Sequence, residues 1–186
     1  MSLRIYGNRL VKTLPGQQTR PTAARVREAL FNIWQGAIVG CHWLDLCAGA
    51  GSMSAEALCR GADTVVAIEQ SGRACQLIRD NLAKYAREEQ QFYVYRGDVL
   101  KQLPKLGARQ YDRIYFDPPY HGELYSGVLD AIARYDLLAA DGELAVEHDP
   151  NRPPMAAISR LKICRQKVYG NCAITFYRLE TNDATA

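Results

Sequence analysis

The chain has 186 residues, 48% of them hydrophobic and 23% charged, with a formal net charge of +3. A chain of that length can bury roughly 70% of the surface its unfolded form exposes, so one globular domain is expected. No window holds the ~20 uninterrupted apolar residues that a bilayer span needs, and "MSLRIYGNRL" lacks the apolar core of a signal peptide, which leads us to expect a cytoplasmic protein with no membrane role.

The charge is unevenly placed. Arg4, Arg9, Lys12, Arg20, Arg25 and Arg27 stand against one acid, Glu28, so residues 1–40 carry +5 and the remainder −2. A basic arm on a nearly neutral body suits a polyanionic partner, because each phosphate neutralised releases condensed counterions. A solvated helix face beside a frayed terminus accounts for the same charges. The six cysteines (41, 47, 59, 75, 164 and 172) lie in apolar runs without the CxxC spacing of a metal or redox site, so reduced, buried thiols are expected and no metal.

In chain order, "QTRPT" offers Thr22 as a cap, and residues 23–35 space Ala24, Val26, Leu30, Phe31 and Trp34 as on an amphipathic helix. "HWLDLCA" (42–48) reads as a strand, "SMSAEALCRG" as a helix ending at Gly61, and "TVVAIE" (64–69) as a strand. Ser71 opens a helix over "SGRACQLIRDNLAKYA", followed by the strand "QFYVYRGD" and a short helix or turn, "VLKQLPKL". Then come the strand "YDRIYFD" (111–117), a helix over 124–135, the strand "GELAVEH" (142–148), and strands over 163–169 and 172–179 joined by Gly170 and Asn171 as a two-residue turn. Apolar strands alternating with helices imply a parallel sheet covered on both faces, and the last pair implies an antiparallel edge. The expected fold is α/β, a single-domain, doubly wound, Rossmann-like sheet. Ligands of such sheets sit beyond the carboxyl ends of the strands.

Those ends carry the chemistry. "LDLCAGAGSMSAEAL" places Asp45, Gly49 and Gly51 between a strand and a helix, where glycine lets the backbone turn tightly and approach a ligand. A dinucleotide fingerprint would put a third glycine at 54, where Ser54 stands. Glu69 ends the second strand, placed to accept ribose hydroxyls, and Asp98 follows the third, placed to accept from an adenine amine. Acids ending successive strands suit a ligand with a ribose, an adenine and a cationic end, and repel a phosphate-rich one. His42, His121 and His148 are scattered, and no serine or cysteine nucleophile pairs with them.

"LDLCAGAGSMSAEAL", "AIEQ", "GDV" and "DPPY", in that order, resemble the class I S-adenosylmethionine-dependent methyltransferases. "RPTAARVREALFN" ahead of the glycine turn, with "DPPY" after it and "KVYGNCAITFYRL" near the end, resembles the bacterial 16S ribosomal RNA guanine-N2 methyltransferases over nearly the whole chain. The resemblance implies S-adenosylmethionine as cofactor, lined by Gly49 and Gly51, with Asp45 at its amino-acid end, Glu69 at its ribose and Asp98 at its adenine, and with Ala48, Gln70 and Val99 also in the binding site. It implies ribosomal RNA or the small ribosomal subunit as partner, gripped by Arg4, Arg9, Arg20, Thr22, Arg25 and Arg27. Residues 1–40 are then a basic arm and helix packed on the domain, 41–180 the methyltransferase domain, and 181–186 a disordered tail.

"DPPY" supplies the remaining chemistry. An exocyclic amine shares its lone pair with the ring. If the Asp117 carboxylate and the Pro118 carbonyl accept its two hydrogens, the lone pair turns toward the methyl group and the carboxylate stabilises the charge that develops on nitrogen. Pro118 and Pro119 make the turn rigid, and Tyr120 offers a flat face for an extruded base. The same chemistry serves adenine N6 in DNA, and a binding module without catalysis is a further reading; guanine rests on the resemblance.

Overall fold

The computed structural model describes residues 2–14, 21–119 and 124–180. A short antiparallel hairpin, β1 (Ser2–Ile5) and β2 (Arg9–Lys12), precedes α1 (Pro21–Ile33). Then follow β3 (His42–Leu46), α2 (Ser52–Cys59), β4 (Thr64–Glu69), α3 (Gly72–Tyr85), β5 (Gln91–Arg96), α4 (Val99–Gln102), β6 (Tyr111–Phe116) and α5 (Leu124–Arg134). The chain closes with β7 (Leu138–His148), β8 (Ala157–Ile158), β9 (Leu161–Tyr169) and β10 (Cys172–Leu179). The main sheet has eight strands in the order β5-β4-β3-β6-β7-β10-β9-β8. From β5 to β7 all pairings are parallel, and β10, β9 and β8 are antiparallel. Strand order reverses between β3 and β6, the switch point at which such sheets hold ligands.

The strands are apolar on both faces because helices cover both. On one face Trp43, Val65, Ala67, Tyr115, Ala145 and Phe176 pack with α1, α2, α3 and the hairpin. On the other, Leu44, Leu46, Ile68, Ile114, Phe116, Leu144 and Val146 pack with α4 and α5. Trp34, just past α1, meets Trp43 edge-on at 5.6 Å and Phe176 at 5.9 Å, and its indole N–H donates to the buried Glu143 carboxylate at 2.6 Å. A buried acid requires such partners, and Arg165 and Arg178 supply two more.

Several details depart from the sequence reading. Residues 2–12 form a docked hairpin with Ile5 and Val11 buried, where a frayed arm was one reading. Helix α1 begins at Pro21, so Thr22 lies within it instead of capping it. β7 starts four residues before "GELAVEH", and β8 carries no apolar run long enough to announce it. Cys164 is exposed and Cys47 and Cys59 are half-buried, so only Cys41, Cys75 and Cys172 are the buried thiols expected of all six. Arg20, Tyr120 and residues 181–186 lie outside the described residues. Among the described residues no helix is long and apolar enough to cross a membrane, and no group of three or more acids, histidines or cysteines is placed to hold a metal ion.

Candidate active site

The carboxyl ends of β3, β4, β5, β6 and β7 surround a cavity of about 660 Å³, a volume typical of small-molecule sites. After β3 the backbone turns abruptly: Cys47, Gly49 and Gly51 have φ of 62°, 56° and 72°. The left-handed region costs an ordinary side chain free energy, so Cys47 is strained at the cavity wall. Gly51 is required for a second reason, because a Cβ there would lie 2.9 Å from Ile78 Cγ1. Gly51 is therefore the hinge that starts α2 and faces α3. Gly51 is not among the residues that line the cavity, whereas Ala48 and Gly49 are.

The acids expected at the strand ends converge on this cavity. Glu69 accepts the Gly49 N–H and the Ser71 N–H, both at 2.8 Å, so one carboxylate fixes the glycine turn and the start of α3. Each oxygen of a carboxylate offers about two lone-pair sites, which leaves capacity for ribose hydroxyls. Asp98 caps α4 by accepting the Lys101 N–H at 3.1 Å. Gln70, Gly97, Asp98 and Val99 line the far end of the cavity.

Asp45 is 1% exposed and accepts from Ser54 twice, from the N–H at 3.1 Å and the hydroxyl at 2.5 Å. Ser54, which breaks the dinucleotide pattern, is thus the residue that clamps Asp45 to α2. Burial pushes the Asp45 carboxyl up to about 7, the two Ser54 bonds oppose this, and the Glu69 charge adds to it. Asp117 follows β6, with its N–H directed at the Leu46 carbonyl of β3 at 3.5 Å. Its carboxyl is held well above the ordinary range by burial first, then by the charges of Glu147 and Asp45. Pro118 is buried and Pro119 exposed, and both line the cavity.

Glu147 escaped the sequence reading. It is 8% exposed at the end of β7, lines the cavity, and accepts from the buried Tyr115 hydroxyl at 2.5 Å. The signal was available, since an acid stands next to last in this strand, as acids stand at or just past the ends of its neighbours.

The basic residues divide. Arg4 and Arg9 are exposed on the hairpin, and Arg25 is exposed on α1. Leu3, Thr13 and Ala24 from the same segments form part of the cavity wall. Arg27 is 5% exposed: its Nε donates to Glu56 at 2.6 Å and its Nη2 to the Arg4 carbonyl at 2.8 Å. Arg27, expected to grip phosphate, is thus engaged in a buried pair and also forms part of the cavity wall. Its charge is spent on a buried pair that seats the hairpin on α2, beside Arg60, which also pairs with Glu56 and lies 4.6 Å over the Tyr6 ring.

These groups fit S-adenosylmethionine: a glycine turn for close approach, Glu69 for the ribose, Asp98 for the adenine, and buried acids for its ammonium and sulfonium charges. Fold and cavity together define a class I methyltransferase. The family model described as conserved hypothetical protein 95 matches residues 3–178, and the chain belongs to that family. YlbH of Bacillus subtilis, described as a candidate rRNA methyltransferase, is 31% identical over 172 residues, covering 91% of this chain and 93% of the relative. The ribosomal RNA small subunit methyltransferase D of Escherichia coli K12 is 29% identical over 161 residues, covering 87% and 80%. Among solved structures, yhhF of Escherichia coli, a candidate methyltransferase, superposes with a TM-score of 0.82 at 29% identity, covering 97% of this chain and 99% of that one.

Proposed function

We propose that the protein transfers a methyl group from S-adenosylmethionine to the N2 amine of a guanine in small-subunit ribosomal RNA, in the cytoplasm. One observation carries the reading. Asp117, an acid poised at the end of β6, shares a cavity with Gly49, Glu69 and Asp98, so an acceptor for an amine lies beside the groups suited to the methyl donor. Its relatives in Bacillus subtilis and Escherichia coli, named as ribosomal RNA methyltransferases, support RNA as the class of substrate.

Bound, the cofactor supplies an electrophilic methyl group. The chain's part is to hold the amine. Asp117 accepts one amine hydrogen, the Pro118 carbonyl accepts the other, and the nitrogen lone pair is turned out of conjugation. The two prolines fix that geometry, since each ring locks φ and removes a competing N–H. Tyr120 stacks on the extruded base. Arg4, Arg9 and Arg25, exposed on the hairpin and α1, meet phosphates, with Arg20 and Thr22 between them in sequence.

Nucleoside analysis of ribosomal RNA from cells lacking the gene tests this. One N2-methylguanosine should disappear from the small-subunit RNA, and return with the wild-type gene but not with Asp117→Ala. Small-subunit RNA unchanged by the deletion would refute the assignment.

A further inference from the structure

We propose that Glu147 is the specificity-determining residue of this site, accepting the N1–H of the target guanine beside the Asp117 that accepts from its N2 amine; this rests on the guanine reading above. Adjacent parallel strands set the geometry. Tyr115 pairs with Ala145 and Phe116 with Val146, so one step further Asp117 and Glu147 stand side by side. Tyr115 and Ala145 belong to one face of the sheet and Phe116 and Val146 to the other, and alternation returns Asp117 and Glu147 to the face of Tyr115. Both line the cavity.

Glu147 is also held in place. The Tyr115 hydroxyl donates to its Oε2 at 2.5 Å, and the Tyr125 hydroxyl donates to its backbone carbonyl at 3.2 Å. The carboxylate therefore stands at a fixed point on the β7 side of Asp117. On the other side lies β3 with the glycine turn and the groups suited to the cofactor. A base whose amine rests on Asp117 consequently presents its neighbouring ring edge to β7.

The two candidate bases differ at that edge. In guanine the amine adjoins N1–H, a donor; in adenine the amine adjoins N1, an acceptor. An ionised carboxylate only accepts. Facing guanine, Glu147 gains a charge-assisted bond and a second donor is drawn to a pair of acids that otherwise repel each other. Facing adenine, it sets acceptor against acceptor. Buried polar groups left unpaired are the strongest source of substrate rejection. The same tier of acids thus holds the amine and tells which base bears it.

The test compares small-subunit RNA carrying either guanine or 2-aminopurine at the position the wild-type protein labels. 2-Aminopurine keeps the amine but has an acceptor at N1 and lacks O6. Wild-type protein should favour guanine in kcat/KM by roughly 10- to 100-fold, the discrimination expected of one buried hydrogen-bond mismatch. In Glu147→Gln the amide can donate to that acceptor, so the preference should shrink by about the same factor through lost guanine activity and retained or increased 2-aminopurine activity. Loss of O6 acts equally on both proteins and cancels in the comparison. Equal transfer to both bases by the wild type overturns the proposal without any variant, as does a Glu147→Gln protein that keeps the wild-type preference at lower or unchanged rate. Wild-type product at a base other than guanine removes the reading beneath the proposal, and the proposal with it, before any variant is compared.

Discussion

The side-chain amide of Asn81 pairs with both backbone groups of Lys12, accepting its N–H and donating to its carbonyl, each at 3.0 Å. Four residues on, the Tyr85 hydroxyl does the same for Leu10, at 3.0 and 2.6 Å. The i,i+4 spacing of a helix matches the i,i+2 spacing of a strand closely enough for α3 to stand in for a third strand beside the hairpin. Asn81 also donates to the Ala50 carbonyl at 3.3 Å, so one 2%-exposed amide joins the hairpin to the glycine turn. Asn81→Leu should cost about 2–4 kcal/mol, because it orphans several buried backbone groups at once. It should also weaken cofactor binding. Urea unfolding and cofactor titration check both, and Tyr85→Phe, farther from the turn, should lower stability while leaving cofactor affinity nearly unchanged.

Asp117→Ala should abolish transfer while leaving cofactor affinity within a few-fold of wild type, since Glu69 and Asp98 are untouched. A loss of about 10³-fold or more in kcat is expected where a positioned charge is removed from a developing cation. A variant with normal turnover would refute the mechanism.

The same carboxyl sets a pH dependence. Asp117 must be ionised to stabilise the positive charge that develops on the amine nitrogen, and burial with the neighbouring Glu147 and Asp45 charges holds its pKa high. Single-turnover transfer should therefore rise with pH through that raised pKa. Replacing Asp45 by Asn removes one of the repelling charges and should move the acid limb to lower pH.

Asp45 predicts the stability of the free protein. Its carboxyl titrates near 7 when folded and near 3.8 as a free group. Between these values the folded state holds a proton that the unfolded state has released, so stability falls as pH rises from about 4 to 7. A shift of three units corresponds to at most about 4 kcal/mol. Asp45→Asn, whose side-chain oxygen can still accept from Ser54, should flatten this part of the slope in urea unfolding at pH 5, 6 and 7.

Arg25 and Arg27, two residues apart, should behave oppositely. Arg25→Ala should weaken RNA binding and remove about 0.7 from the slope of log affinity against log salt if the contacted strand is single. Arg27→Ala should chiefly lower stability, by about 2–4 kcal/mol, because it breaks a buried pair; Glu56 keeps Arg60 as a partner, which limits the loss.

The doubly wound sheet was legible because β3, β4 and β6 each place apolar residues at consecutive positions (Trp43–Leu44, Val65–Ile68, Ile114–Phe116), the mark of strands covered on both faces. Gly49, Glu69, Asp98 and Asp117 were legible because each sits where a strand ends, and the sheet brings such ends together. The hairpin was not. Of its eight strand residues only Ile5 and Val11 are buried, too few for a period to show, and what holds it is the side chain of Asn81, 69 positions away from Lys12. Arg27 looked like Arg25 in sequence, since burial beside Glu56 depends on how α1 meets α2. Glu147 shares its strand with Asp141 and Glu143, and Glu143 has a structural role, so the acids of β7 did not by themselves mark which one faces the site.

The most direct measurement of the central claim is methyl transfer from labelled S-adenosylmethionine to unmodified small ribosomal subunits, deproteinised RNA and duplex DNA, with the product nucleoside identified by mass spectrometry. N2-methylguanosine in small-subunit RNA is the predicted product, and methyladenine in DNA, or no labelled nucleoside from any of the three, would contradict it.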